Sequence, residues 1–92
     1  MFSLSQRNIY FYPCSVHMMK SFEGLSGIVE RNFPGELLNG SCFVFLNRKK
    51  DKMKILVFEG DGFSIYYKRL EKGRFLISEN GETSLTRREF MM

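Results

Sequence analysis

The sequence predicts an α+β domain: an antiparallel β-meander of about four strands, with one long helix packed on a face and a short C-terminal helix. Apolar residues at helical spacing between positions 18 and 33 predict the long helix. Apolar runs separated by turn residues between positions 42 and 77 predict the meander. The chain has 92 residues, the length of one small domain, so residues 1–92 are expected to form a single domain.

A short strand and the long helix come first. Ile9–Tyr12 is an aromatic and β-branched run that ends at Pro13, as an edge strand does. Ser15 is the predicted N-cap of the helix, and the Pro-Gly pair at residues 34–35 is its predicted end. The apolar stripe of the helix advances in steps of three and four residues: Met18, Phe22, Leu25, Val29 and Phe33, with Ile28 beside them.

Small residues form a second strip on this helix. Ser21, Gly24 and Gly27 are spaced three apart, although each interior glycine costs about 1 kcal/mol relative to alanine. Two explanations stay open on the sequence alone. Either another backbone approaches the strip closely, or the helix is weak and is held by tertiary packing.

The predicted meander follows. Cys42–Leu46 is apolar at every position, which predicts a central strand covered on both faces. Lys54–Glu59 leads into a tight turn at residues 60–62, and Phe63–Leu70 alternates between two faces. Arg74–Ile77 is the predicted short fourth strand. A capping-box spacing near the chain end predicts the terminal helix, Leu85–Met92, which is too short to stand alone.

The charge is concentrated in one third of the chain. The net charge is +4, but residues 47–76 alone hold nine bases and four acids, whereas residues 1–46 sum to zero. Clustered bases are typical of a face that binds phosphates, although a solvated hairpin that keeps the protein soluble has the same composition. The length excludes a complete transposase, polymerase or dehydrogenase. No run approaches the ~20 apolar residues of a membrane span, and a soluble cytoplasmic protein is expected.

Few residues suit catalysis. Cys14 and His17 are half of a metal site, and no second pair has zinc-ligand spacing. Cys42 belongs to a predicted buried strand and is expected to be inert. Asp51 and Asp61 occupy predicted turns, where aspartate is favoured for backbone reasons. The sequence therefore predicts no enzyme, no cofactor and no metal site.

Binding is the better-supported function. Alternate turns of a meander lie at the same end of a sheet, so the turns at residues 47–52 and 71–73 are expected together, with the turn at 60–62 opposite. The predicted nucleic-acid-binding residues are the bases at this end: Arg48, Lys49, Lys50, Lys52, Lys54, Lys68, Arg69, Lys72 and Arg74. Tyr66, Tyr67 and Phe75 are predicted to stack on bases or to contact a partner. No pattern predicts readout of base edges.

One segment resembles a known family. Cys42–Phe75, with the sequence CFVFLNRKKDKMKILVFEGDGFSIYYKRLEKGRF, closely resembles the insertion-sequence-66 accessory protein family often labelled TnpB. Members of that family have a similar strand, a basic turn, KILxxxxDG and YKRLExGRF. Upstream, five residues match its DMRKGFDGL-like helix motif: Met18, Lys20, Phe22, Gly24 and Leu25. The resemblance covers about residues 9 to 90.

The resemblance implies a role in the transposition of a bacterial mobile element, beside a separate, larger transposase and without catalysis of its own. Lys68, Arg69 and Arg74 match the family motif and are expected to contact a phosphate or an acidic partner. His17 stands where the motif usually has Asp, and Met19 where it usually has Arg. The resemblance also implies that the chain stops early in the family's C-terminal helix, which suggests truncation or a shortened copy.

Two functions follow from these expectations. The first is a non-catalytic accessory protein of a bacterial insertion sequence that binds the element's DNA through a basic β-hairpin edge. The alternative is an adaptor that binds the transposase through an exposed aromatic sheet face, because one helix covers only part of a sheet. The same face would serve a homodimer, unless the terminal helix covers it.

Overall fold

The computed structural model describes residues 7–76. Within these residues it has one helix, α1 (Phe22–Asn32), and a four-stranded sheet in the order β1-β2-β3-β4. The strands are β1 (Ile9–Phe11), β2 (Cys42–Leu46), β3 (Lys52–Phe58) and β4 (Phe63–Arg69). β2, β3 and β4 are antiparallel neighbours, and β1 pairs with β2 in parallel. The α+β class is confirmed, but the sheet is mixed and not purely antiparallel as predicted.

The parallel pair follows from the position of the helix. α1 lies between β1 and β2 in the chain, and a strand–helix–strand crossover returns the chain to the end from which it started. The chain also stays beside β2 after β1 ends. Tyr12 N–H donates to Val44 O (3.1 Å), and Val16 N–H donates to Leu46 O (2.9 Å).

The helix begins later than predicted. Its N-cap is Ser21 and not Ser15, because the preceding segment is still bonded to β2 through Val16. The Ser21 hydroxyl donates to the Glu23 carboxylate (3.1 Å) and makes no capping hydrogen bond. Met18 therefore packs against the core from the loop and not from the helix.

Strand β2 lies between two apolar clusters, and each of its residues is at most 6% exposed. On the α1 side, its two phenylalanines meet the buried face of the helix: Phe43, Phe45, Leu25, Ile28 and Val29, with Leu56 of β3. On the other side, β2 and β3 form the second cluster with one residue from beyond β4: Cys42, Val44, Leu46, Met53, Ile55, Val57 and Phe75. The prediction of a central strand covered on both faces is confirmed.

Burial of the second cluster corrects two expectations. The apolar residues of β2 and β3 opposite α1 are buried and not exposed as expected, whereas the adaptor and the homodimer themselves stay predictions. Residues 74–76 form no strand, and the Phe75 N–H donates to Lys50 O (2.7 Å). Ile77 and the predicted terminal helix Leu85–Met92 lie outside the described residues.

The small-residue strip of α1 meets only side chains within the described part of the chain. A methyl group on Gly24 would lie 3.3 Å from the Lys20 side chain, and one on Gly27 would lie 3.3 Å from the Arg31 guanidinium. Residues 7–76 thus place no second backbone against this strip. Tertiary packing, through the fully buried Leu25 and Val29, is the explanation that these residues support.

Gly24→Ala is expected to raise the free energy of unfolding by about 0.5–1 kcal/mol, because alanine costs less backbone entropy and the exposed Lys20 side chain can shift. Urea denaturation measures the change. Gly73→Ala is the control and should lower stability by about 1–2 kcal/mol, because Gly73 has a φ of +77°. A loss of stability in Gly24→Ala would show that the strip is packed against something outside residues 7–76.

Candidate nucleic-acid interface

The turn between β2 and β3 is held by the side chain of Asn47. Its Oδ1 accepts hydrogen bonds from the backbone N–H groups of Asp51 (3.1 Å) and Lys52 (3.0 Å). Its Nδ2 donates to the Asp51 carboxylate (2.7 Å). Lys50 lies in the left-handed region, with a φ of +62°, which is uncommon for a residue with a side chain. The turn is therefore fixed internally, and its exposed bases project from a defined tip.

Asp51 is the acidic residue within this basic turn. The hydrogen bond from Asn47 holds the pKa of Asp51 below its usual 3.8, and the ammonium groups of Lys52 and Lys49 act in the same direction. The carboxylate is consequently ionised at neutral pH. It offsets one of the surrounding positive charges and fixes the turn at the same time.

A second basic turn lies directly beside the first. Leu70 N–H donates to Asp51 O (2.8 Å), and Phe75 N–H donates to Lys50 O (2.7 Å). These two bonds place residues 71–74 against residues 48–51, at the end of the sheet opposite to the turn at 60–62. We call residues 47–52 and 68–74 together the basic end.

The sheet divides these bases between its two faces. Lys52 pairs with Arg69, and Lys54 pairs with Tyr67, on the face that packs under α1. Lys68 points to the opposite face, because successive residues of a strand alternate. The nine predicted bases therefore do not form one continuous surface. Of the bases within the strands, Lys52, Lys54 and Arg69 lie on the α1 side.

Lys54 and Arg69 are bases that are already engaged within the protein. Lys54 Nζ donates to the backbone oxygen of Lys20 (3.0 Å), which ties β3 to the loop before α1. Arg69 contacts the Glu71 carboxylate through Nη2 (3.0 Å) and Nε (3.1 Å). Both partners of this ion pair are well exposed, so the pair contributes about 0–1 kcal/mol and a phosphate can compete for Arg69.

Two cavities flank the β2–β3 turn, and sequence reasoning missed the loop that forms their other wall. One, of about 370 Å³, includes Cys14 and Lys50 in its lining, and the other, of about 560 Å³, includes His17 and Lys49. Ser15 and Arg48 line both. The loop after β1 reaches the basic end because β1 and β2 are parallel. The helix between two strands was the signal that could have revealed this direction.

The three predicted aromatic contacts have different environments. Tyr67 is 53% exposed on the α1 side, whereas Tyr66 is 37% exposed on the other side, where its hydroxyl donates to Glu59 (2.9 Å). Phe75 is 1% exposed, so the prediction that it stacks on a base or contacts a partner is wrong. Its backbone bond to Lys50 turns the ring into the second apolar cluster.

Of the cysteines considered for metal and thiol chemistry, Cys14 is exposed and Cys42 is buried. No three His, Cys, Asp or Glu residues in this part of the chain converge as metal ligands do. Burial raises the pKa of the Cys42 thiol to about 11, so Cys42 is protonated at neutral pH. The helix found between residues 7 and 76 lacks the length and apolar character that crossing a bilayer requires.

The family comparison covers this end of the molecule. The model of the family described as IS66 Orf2 like protein matches residues 7–92. The chain belongs to this family. It is therefore an insertion-sequence accessory protein, and the resemblance noted for Cys42–Phe75 is confirmed. Searches of curated proteins and of solved structures found no match.

In this IS66 Orf2-like protein, Asn47→Ala is expected to lower the free energy of unfolding by about 1–2 kcal/mol, because two backbone N–H groups lose their acceptor. Thermal or urea denaturation measures the loss. Arg48→Ala, in the same turn, is the control and should stay within about 0.5 kcal/mol of the wild type. Equal stability of the two variants would show that Asn47 does not hold the turn.

Asp51 should contribute to the acid sensitivity of the same family member. Its folded-state pKa lies below the usual 3.8, so the ionised carboxylate stabilises the fold above that pH. The contribution is lost as the pH falls through the lower folded-state value. Asp51→Asn should therefore lose less stability than the wild type between about pH 6 and about pH 2 in urea titrations. Asp61→Asn makes the same charge change in the opposite turn, and an equal effect there would contradict the role of Asp51.

Proposed function

We propose that this protein is a non-catalytic accessory protein of a bacterial insertion sequence that supports transposition by binding the element's DNA through its basic end. The observation that supports this most directly is the pair of backbone hydrogen bonds that joins the two basic turns. Leu70 N–H to Asp51 O and Phe75 N–H to Lys50 O bring together bases that are about 20 residues apart in the chain.

The charge of the protein is local to this end. The basic end holds eight bases and two acids, a balance of +6, whereas the whole chain has a net charge of +4. The rest of the chain is thus slightly acidic. A polyanion is attracted to the end where the positive potential is concentrated, and this attraction does not depend on base sequence.

Three of the groups suited to catalysis are buried or hydrogen-bonded within the protein. Cys42 is buried and its thiol is protonated, and Asp51 is engaged with Asn47 in the turn. His17 Nδ1 accepts a hydrogen bond from the Met19 N–H (3.2 Å), within its own loop. These groups have structural roles, and each is explained without a substrate.

The adaptor function is the weaker alternative. It was predicted on an exposed aromatic sheet face, but the apolar residues of β2 and β3 opposite α1 are buried, and Tyr66 of β4 is 37% exposed on that side. Binding of the element's transposase remains a proposal for the basic end, where an acidic segment would find the same charges as a phosphate backbone does.

Fluorescence anisotropy of labelled DNA at several salt concentrations tests DNA binding. Neutralisation of about three to five phosphates would give a slope of log affinity against log salt of about −2.7 to −4.5 on duplex DNA. Lys49→Ala and Arg74→Ala, each in a separate variant, should weaken binding. Each substitution should also reduce the magnitude of the slope by about 0.9 for each phosphate that the variant no longer neutralises.

A charge-matched control separates position from net charge. Asp61→Asn adds one positive unit at the opposite end of the sheet, so combining it with Lys49→Ala restores the net charge of the wild type. The combined variant should bind as weakly as Lys49→Ala alone. Wild-type affinity in the combined variant would reject the basic end as the site, and absence of DNA binding at low salt would reject the proposed function.

A further inference from the structure

We propose that the α1 side of the basic end binds an unpaired DNA strand, with one base stacked on Tyr67 and the neighbouring phosphates held by Lys52 and Arg69. This inference rests on the proposed function and names the form of DNA that the site prefers. The structural feature behind it is one exposed aromatic ring within a group of cations on a single face of the sheet.

Tyr67 is an exposed aromatic ring without a role in the described fold. It is 53% exposed, and within residues 7–76 no hydrogen bond or ring contact holds it. Other aromatic residues on the same side are engaged: Phe22 packs on Phe63 with ring centroids 4.7 Å apart, and Tyr12 packs on Phe45 at 5.9 Å. A large ring that stays exposed does not gain the free energy that burial would provide. Exposed aromatic rings of this kind are typical of binding surfaces.

The cations around this ring occupy the positions that a nucleic-acid backbone needs. Lys54 lies directly opposite Tyr67 in the β3–β4 ladder. Arg69 is two residues further along β4 on the same face, about 7 Å away, and Lys52 lies opposite Arg69. The Lys54 ammonium is held by the Lys20 carbonyl, so the cation beside the ring has a fixed position. A base on the ring would therefore place its flanking phosphates near Lys52, Lys54 and Arg69, of which Lys54 is held in place.

The same surface does not suit the grooves of a duplex. Bases in a duplex are stacked on one another, so a ring that lies on a sheet face cannot stack on them unless they are unpaired. Recognition of the major groove commonly uses an exposed basic helix. The charged residues of α1 are Glu23, Glu30 and Arg31, which make its exposed side acidic on balance. Within residues 7–76, the helix gives no means of entering a groove.

Anisotropy measurements with two forms of one labelled oligonucleotide test this inference. A labelled strand of about 16 nucleotides is used alone and annealed to its complement, at the same salt concentration. The wild type is expected to bind the unpaired strand more tightly. Tyr67→Ala should weaken binding of the unpaired strand by about 5- to 100-fold and leave duplex binding nearly unchanged. Its salt slope should equal that of the wild type, because no cation has been removed.

Two matched variants identify stacking as the cause. Tyr67→Phe keeps the ring and should bind as the wild type does, which also shows that the hydroxyl is not required. Tyr66→Ala removes a tyrosine one residue away on the opposite face and should leave the affinity for the unpaired strand within about twofold. Far-UV circular dichroism confirms that each variant is folded.

The outcomes separate this inference from the proposed function. Wild-type affinity of Tyr67→Ala for the unpaired strand, or tighter binding of the duplex, would overturn the unpaired-strand site. The effects of Lys49→Ala and Arg74→Ala on duplex DNA would then still support the basic end. Absence of binding to both DNA forms at low salt would overturn both proposals.

Discussion

The burial of β2 on both faces is the constraint on which the rest of the structure depends. Every residue of Cys42–Leu46 is apolar, and none is more than 6% exposed. A strand with two apolar faces requires cover on both. If either face were left in water, the free energy gained by burying several large side chains would be lost. α1 provides the cover on one side, and Phe75 belongs to the cluster on the other.

This packing also positions the charged groups. For Phe75 to reach the second cluster, the chain after β4 must fold back along the β2–β3 turn, and the bond from its N–H to Lys50 O marks that path. The residues between β4 and Phe75 are mostly charged and stay at the surface, since charged groups are costly to bury. The second basic turn is consequently placed beside the first by the requirements of the core.

The family assignment and the basic end agree but have different physical origins. The YKRLEKGRF block that marks the family includes the end of β4, the second basic turn and Phe75. Part of that block is explained by packing, because Leu70 and Phe75 belong to the second apolar cluster. Its bases are not explained by packing. They are the residues to which the proposed binding of DNA assigns a function.

Much of the fold could be predicted because local patterns report local structure. The apolar run at β2 predicted a buried central strand, and the turn signals at residues 47–52 and 60–62 predicted the β2–β3–β4 meander. The direction of β1 could not be predicted from its own residues, because a strand has the same side-chain period whichever way it runs, although the helix between β1 and β2 indicates a parallel crossover. The start of α1 was misplaced for a related reason. Val16 is bonded to Leu46, a residue far away in the chain, and this bond keeps residues 13–19 out of the helix.

The candidate site shows the same division. By itself, the sequence determined which residues are basic, that they cluster between positions 47 and 76, and that the turns among them are tight, since these properties depend on neighbouring residues only. Only the tertiary structure decided that Lys52, Lys54, Tyr67 and Arg69 share one face while Lys68 lies on the other, and that Phe75 is buried. It also brought the loop of Ser15 and His17 to the basic end. These outcomes depend on hydrogen bonds and apolar contacts between segments that are distant in the chain, and no local pattern of residues specifies them.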